Sequence, residues 1–455
     1  MRNRTLLGSE RRLASPRSAP VAWWAMAAAF VLIALAIAVP FVTGWNVYAN
    51  YFPPLHALWM PHVGPGTVPA IVLAVVLLRW ASTAAARLPW KKLLVASFAA
   101  SLLWLASLAL VDGPSGLGAI LDSGYEYLPV ARSITDVGGT LQEYISRIPL
   151  DATNNWPTHV AGHPPGAVLF FWVLVQWGLG SWLTAGIIVV VLGASVPVAV
   201  LVTLRRLDAE SHARTAAPFL VAGPAAIWMA VSADGMFAAF AAWGLCLLAL
   251  AATAKSRRAT AAWGVAAGLV LGFCIFLSYG LILLGVLAVA VLAVARNWRA
   301  LPWALASAAL VAIAFAVGGF AWWEAYPVIV ERYWDGIASR RPFEYWIWAN
   351  IAALAISAGP VLGAAVASTA SGLCRWKTTV AEDRVVVWLA AAALTTVLFA
   401  DLSGMSKAEV ERIWLPFVPW ILIATAWIPP HLRRGIFATQ LIFALLVQHL
   451  LFTGW

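Results

Sequence analysis

The sequence predicts an all-α polytopic membrane protein with about thirteen transmembrane helices and one large extracytoplasmic loop carrying juxtamembrane helices. Three observations carry that expectation. Of the 455 residues, 63% are hydrophobic and 11% are charged, whereas a soluble domain carries about 25% charged residues. Apolar runs approaching the roughly 20 residues that a straight span needs recur along the chain. Finally, the 27 Trp are many, and Trp favours the membrane–water interface, where its ring is half apolar and half polar.

Taken in order, residues 1–20 carry Arg2, Arg4, Arg11, Arg12 and Arg17 among Pro and Ser, and read as a disordered basic cytoplasmic leader. Residues 21–455 read as a single transmembrane domain. The apolar run from Val21 to Val42 is longer than a typical signal-peptide core, so it is expected to remain as the first span. Further spans are expected near 67–80, 93–111, 182–204, 214–232, 235–254, 260–277, 281–296, 302–321, 346–368, 385–400, 413–428 and 436–454. The apolar piece between Gly166 and Gly178, AVLFFWVLVQW, is too short to span and is expected to lie in the interface. Residues 112–178 then form one extracytoplasmic loop ending in that interfacial helix.

Charge agrees with this arrangement. The leader and the segments Arg79–Lys92, Arg205–Arg214, Lys255–Arg258, Arg296–Arg299, Arg375–Arg384 and Arg433–Arg434 hold 22 of the 29 Lys and Arg but 5 of the 19 acids. By the positive-inside rule these segments are cytoplasmic, the N-terminus with them, and the acidic loops face outward. The net charge of +10 is thus spread over inner loops and does not suggest nucleic acid. Cys246, Cys274 and Cys374 lie in or beside apolar segments without CxxC or Cys/His spacing, so neither a disulfide frame nor a structural zinc site is suggested.

The stretch from Asp122 to Gly166 is the longest polar segment. DSGYEYLPVAR places Asp122 and Glu126 four residues apart, on one face if helical. THVAGHPPG places His163 directly before two prolines, so His163 is expected to be extended, and a His159/His163 metal pair on a helix is not expected. Elsewhere, Asp234 in SADG is a candidate binding residue or a helix cap. In SKAEVERIW, Lys407, Glu409, Glu411 and Arg412 form either a binding cluster or a surface ion pair. The aromatic stretch AWWEAYPVIVERYWDGIASRRPFEYWIW suits a sugar- or headgroup-gripping surface or an amphipathic interfacial helix.

An acidic–aromatic stretch after an apolar helix, a polar loop and then HPPG opening an apolar helix resembles the GT-C glycosyltransferases, in particular the protein O-mannosyltransferases and lipid A aminoarabinose transferases. PAAIWMAVSADGMFAAFAAW, with Asp234, is similar to a later helix pair of that superfamily. SKAEVERIWLPFVPW is similar to its late external Arg followed by an aromatic–Leu–Pro run. The resemblance covers roughly residues 112–430. It departs in two places: Ser123 and Gly124 stand where the family's adjacent acidic pair would be, and the loop follows the third helix instead of the first.

The resemblance implies transfer of a sugar, of mannose or arabinose type, from a polyprenyl-phosphate donor to an acceptor hydroxyl on the outer face of the plasma membrane. The acceptor would be an envelope glycan, lipid or protein. Glu126 is the first choice as general base and Asp122 the second. Arg412 would stabilise the leaving phosphate, with Lys407, Arg332, Arg340 and Arg341 as weaker candidates. Tyr127, His159, His163, Asp234 and Glu411 would line the substrate site. No metal or other cofactor is implied beyond the lipid-linked sugar and membrane lipids. The competing reading is a multi-pass transporter or flippase of a lipid-linked or small solute.

Overall fold

A computed structural model describes residues 18–230 and 232–454. The basic leader up to residue 17 lies outside the described residues, and its last three positions already belong to the first helix, α1 (Ser18–Thr43). The chain is a polytopic helical protein. Among the described residues, seven helices are long and apolar enough to cross a membrane, or up to nine if each of two bent pairs is one span.

Two of these, α2 (Thr67–Arg87) and α3 (Trp90–Ala109), form a hairpin, and 3-10 turns lead from α3 into the polar loop. The loop folds into short helices α4 (Tyr127–Ser133), α5 (Val137–Glu143) and α6 (Thr158–Gly162), then α7 (Gly166–Gln176). The last has 11 residues, about half of what a straight crossing needs. Its prolines act as expected: His163 is extended at φ −128° and ψ 151°, and Pro165 caps α7.

The long helix α8 (Trp182–Arg206) starts at Ser181, whose hydroxyl accepts from the Thr184 amide and so satisfies one of the free N–H groups of the first turn. Gly186 of α8 lies so close to the loop that a Cβ there would sit 1.9 Å from the Leu117 carbonyl oxygen. That close approach presses the polar loop onto the helix bundle. The expected span 214–232 is instead α9 (Glu210–Val221) and the single turn α10 (Ala226–Met229). Pro224, which has no N–H to give a continuing helix, lies in the interruption.

Helix α11 (Ala233–Ala252) packs against α8 and against α12 (Arg257–Leu277), and α12 in turn meets α7. Beyond the shorter α13 (Leu284–Ala295), α14 (Leu301–Val317) turns by 72° into α15 (Trp322–Asp335). The turn falls at Gly319, φ +110°, a conformation open to glycine. Helices α16 (Phe343–Ser357) and α17 (Val361–Cys374) meet at 107° across Gly359–Pro360. The expected span 302–321 is therefore α14 up to its bend, whereas the expected continuous span 346–368 is a bent pair.

The remainder comprises α18 (Ala381–Leu402), the turn α19 (Val410–Ile413), α20 (Val418–Leu422) and α21 (Pro430–Leu450). Strands β1 (Leu58–Trp59) and β2 (Leu451–Phe452) pair and tie the first interhelical connection to the C-terminal end. Asp112 reinforces that tie by accepting from Gln448 at 2.7 Å and facing His62 Nε2 at 2.7 Å.

Candidate functional site

The polar residues nearest the apolar helices converge on one buried cluster, centred on Arg412. Its Nη1 donates to Asp234 Oδ2 at 2.9 Å, and its Nη2 donates to Glu409 Oε2. The residues come from distant parts of the sequence. Asp234 sits in the first turn of α11, where a carboxylate also meets the positive end of the helix dipole. Its side chain pairs with the guanidinium and makes no capping bond; the cap position belongs to Ser232, whose hydroxyl reaches Asp234 at 3.2 Å. Arg412 is 5% exposed and Glu411 1%. The alternative of a surface ion pair in EVERIW therefore does not describe this group.

Glu126 lies beside this pair at the start of α4 and is 3% exposed. One of its oxygens faces His159 Nδ1 at 3.4 Å, and among the described residues the other, buried, has no hydrogen-bond partner. Burial raises its pKa to about 7; Arg412 opposes that rise, while Asp234 and Glu409 add to it. A carboxyl poised near neutrality can exchange a proton at physiological pH. His159 is pulled down to about 3, first by burial and next by Arg412, so its imidazole is neutral.

Burial pushes Glu409 upward, but the Arg412 guanidinium foremost, with Arg341 beyond it, overcomes that and holds the carboxyl at about 2. Glu411 behaves oppositely: burial raises it to about 8, so it is protonated at neutral pH. With 27% of its side chain exposed, Glu409 is the carboxylate of the cluster nearest solvent. It is carried by strained backbone, since both Ala408 (φ +75°) and Glu409 (φ +61°) are left-handed. Such conformations cost about 1–3 kcal/mol each and persist where the surroundings impose them.

Those surroundings are specific. The Asn350 side chain accepts from the Ala408 amide at 3.2 Å and donates to Asp401 at 2.8 Å and to the Ser406 carbonyl at 2.7 Å. Arg341 donates to the Lys407 carbonyl at 2.5 Å, and Lys407 Nζ returns to the Ala338 and Arg341 carbonyls. Lys407 and Arg341 thus clamp the 403–409 turn by backbone bonds.

Tyr127 and His163 form the apolar wall. Tyr127 stacks on Phe171 of α7 at 5.7 Å and meets the His163 ring edge-on at 5.7 Å. His163 also contacts Phe237 of α11 and turns Nδ1 to the His159 carbonyl at 2.9 Å. The Tyr144 hydroxyl lies 2.8 Å from the Val160 carbonyl and 3.1 Å from that of His163, which fixes the α6 turn bearing both histidines.

Of the residues singled out in the sequence, Glu126, Tyr127, His159, His163, Asp234, Glu411 and Arg412 are thus neighbours or share this frame. Asp122 is not drawn in. It forms a two-pronged pair with Arg132, at 2.6 and 3.2 Å, on more exposed ground. The expectation that Asp122 and Glu126 share a helical face is corrected: a 3-10 turn ends at Asp122, and Ser123 and Glu126 are extended. Arg332 bonds the Ile148 and Trp156 carbonyls and Arg340 lies over the Tyr48 ring.

Two contributors were not read as site residues in the sequence. His56 lies in the first interhelical connection, where its Nε2 faces Arg341 at 2.9 Å, near Glu409. Asn350, inside an apolar helix, gave no signal beyond its polarity. Among the described residues no group of three His, Cys, Asp or Glu is arranged to hold a metal ion. No protein-family model matches the chain, and no curated protein matches it.

Proposed function

We propose that this protein is a glycosyltransferase of GT-C type. In this reading it moves a mannose- or arabinose-type sugar from a polyprenyl-phosphate donor to an acceptor hydroxyl on an envelope glycan, lipid or protein. The observation that carries the reading is Glu126: a buried carboxyl with pKa near 7 and an oxygen that has no partner among the described residues, beside a neutral imidazole and a fixed guanidinium. Glu126 takes the proton of the attacking hydroxyl as its oxygen bonds to the anomeric carbon. The bond from that carbon to the phosphate oxygen breaks, and Arg412 meets the charge gathering on the departing phosphate. Because Asp234 and Glu409 already hold Arg412, the incoming phosphate replaces Glu409, the more exposed of the two. No protein-bound cofactor takes part in this scheme.

Topology is part of the same proposal. The seven long helices, α14, the bent pair α16–α17, the short segments 210–229, 279–295 and 418–427, and α21 together supply thirteen crossings, with α15 lying along the outer face. With the N-terminus cytoplasmic, residues 44–66, 112–181, 232–234, 318–342 and 403–413 then all lie on the outer face of the plasma membrane. The charged groups and histidines around Arg412 belong to that set, while Asp401 lies at the end of α18 and Asn350 about two turns inside α16.

A second reading has its own support. A closed, buried Asp–Arg–Glu cluster beside bent and interrupted helices also suits a proton-coupled transporter or flippase, in which ionisable groups and broken helices form the substrate path. Glycosyl transfer from a polyprenyl-phosphate sugar pool by the purified chain in lipid separates the two. Transfer abolished by Glu126→Gln supports the enzyme; counterflow of solute without transfer supports the transporter.

A further inference from the structure

At the ends of α3, α8 and α11 remote from Arg412 there is a cavity of about 560 Å3, within the range of about 300–1,000 Å3 typical of small-molecule sites. Its lining is Trp90, Val202, Arg205, Arg206, Asp208, Leu250 and Thr253. Trp90 opens α3, Arg205 and Arg206 close α8, and Leu250 and Thr253 mark the end of α11. Each of these helices is long and apolar enough to cross the bilayer. The cavity therefore lies where apolar helices give way to charge, at headgroup depth.

The two arginines are not equivalent. Arg205 is committed: its Nε pairs with Glu210 at 2.8 Å and its guanidinium lies 4.6 Å from the Trp90 ring centre. Glu210 also pairs with Arg214 at 2.7 Å, and so serves two cations. Among the described residues no carboxylate lies within ion-pair distance of Arg206, which is exposed at the cavity rim. Val202 and Leu250 give the cavity an apolar wall. Asp208 is the one carboxylate in its lining and sits on a left-handed backbone, φ +62°.

We propose that this cavity holds the headgroup of an anionic glycerophospholipid of the phosphatidylglycerol kind. The phosphodiester sits against Arg206, which can offer it a bidentate contact. A headgroup hydroxyl donates to Asp208, a contact that a bare phosphate lacks, and the glycerol–acyl junction lies on Val202 and Leu250. Charge at this depth attracts anionic lipid in any case; the walled cavity turns that attraction into a site.

The test uses the full chain in detergent, followed by native mass spectrometry and thermal unfolding as lipid is added. Phosphatidylglycerol should be retained and should raise the melting temperature, whereas phosphatidylcholine and inorganic phosphate should do neither. Arg206→Gln should weaken phosphatidylglycerol binding about tenfold, the scale of one lost charge-assisted contact, with the lipid-free melting temperature unchanged because the residue is exposed. Asp208→Asn should weaken phosphatidylglycerol while leaving binding of phosphatidic acid, which has no headgroup hydroxyl, unaltered. Equal binding of phosphatidylglycerol by wild type and Arg206→Gln overturns the proposal, as does equal binding of phosphatidylcholine. Stabilisation by inorganic phosphate matching that by lipid would assign the cavity to a free anion and likewise overturn it.

Discussion

The Asp234–Arg412 pair offers a double-mutant cycle whose magnitude follows from its geometry. The two side chains are 5–6% exposed and 2.9 Å apart. Removing one member of a buried pair costs about 3–5 kcal/mol, because the other charge stays buried without its partner. Asp234→Asn should fall near the lower end, about 3 kcal/mol, since Arg412 keeps Glu409 on its second arm. Arg412→Gln strips the cation from Asp234, Glu409 and Glu126 together and should fall near the upper end, about 5 kcal/mol. The double variant leaves no orphaned guanidinium, so its loss should be smaller than the sum by about 2–3 kcal/mol, the scale of coupling between contacting charges. Unfolding of the four proteins in mixed micelles, followed by tryptophan fluorescence, measures the cycle. Additivity to within about 0.5 kcal/mol would refute the pairing.

Further outcomes are expected. Activity should rise with pH through a limb near 7 as Glu126 loses its proton, and Arg412→Gln should move that limb upward, because the guanidinium lowers this pKa; a pH–rate profile reads both. Stability should depend on the same group with the opposite sign: the folded state holds the Glu126 proton up to about 7 while the unfolded chain releases it near 4.5. The folded state therefore loses about 3 kcal/mol between those values, and Glu126→Gln should flatten that part of the pH–stability curve. Arg296 closes α13 in a left-handed conformation, φ +50°, so Arg296→Gly should stabilise the protein by roughly 0.5–1 kcal/mol in the same unfolding assay. Asp122→Asn removes an exposed pair and should change stability by less than about 1 kcal/mol.

The apolar helices and the residues that stand out against them were legible because charge in an apolar context is costly and therefore informative. Asp234 and Arg412 stood out on that ground. His163 was legible in its conformation, since the following prolines restrict its backbone. Other features depended on tertiary arrangement. Sequence ranked Glu126 ahead of Asp122 without separating them in space; the turn at Ser123–Gly124 does so, and Arg132 captures Asp122. Hydropathy counted 346–368 as one span because it does not register the bend at Gly359–Pro360. His56 went unread because its importance lies in Arg341 and Glu409, about 285 and 353 residues away in the chain, a proximity no local pattern encodes.

Sugar transfer from a polyprenyl-phosphate donor by the purified protein in lipid, compared among wild type, Glu126→Gln and Asp122→Asn, decides whether Glu126 is a catalytic base. Wild type should transfer, Glu126→Gln should lose about 10²–10⁴-fold in rate while remaining folded, and Asp122→Asn should stay within a few-fold of wild type. Full transfer by Glu126→Gln, or loss confined to Asp122→Asn, would contradict Glu126 as the base; wild type inert toward every such donor while driving solute counterflow would contradict the enzyme itself.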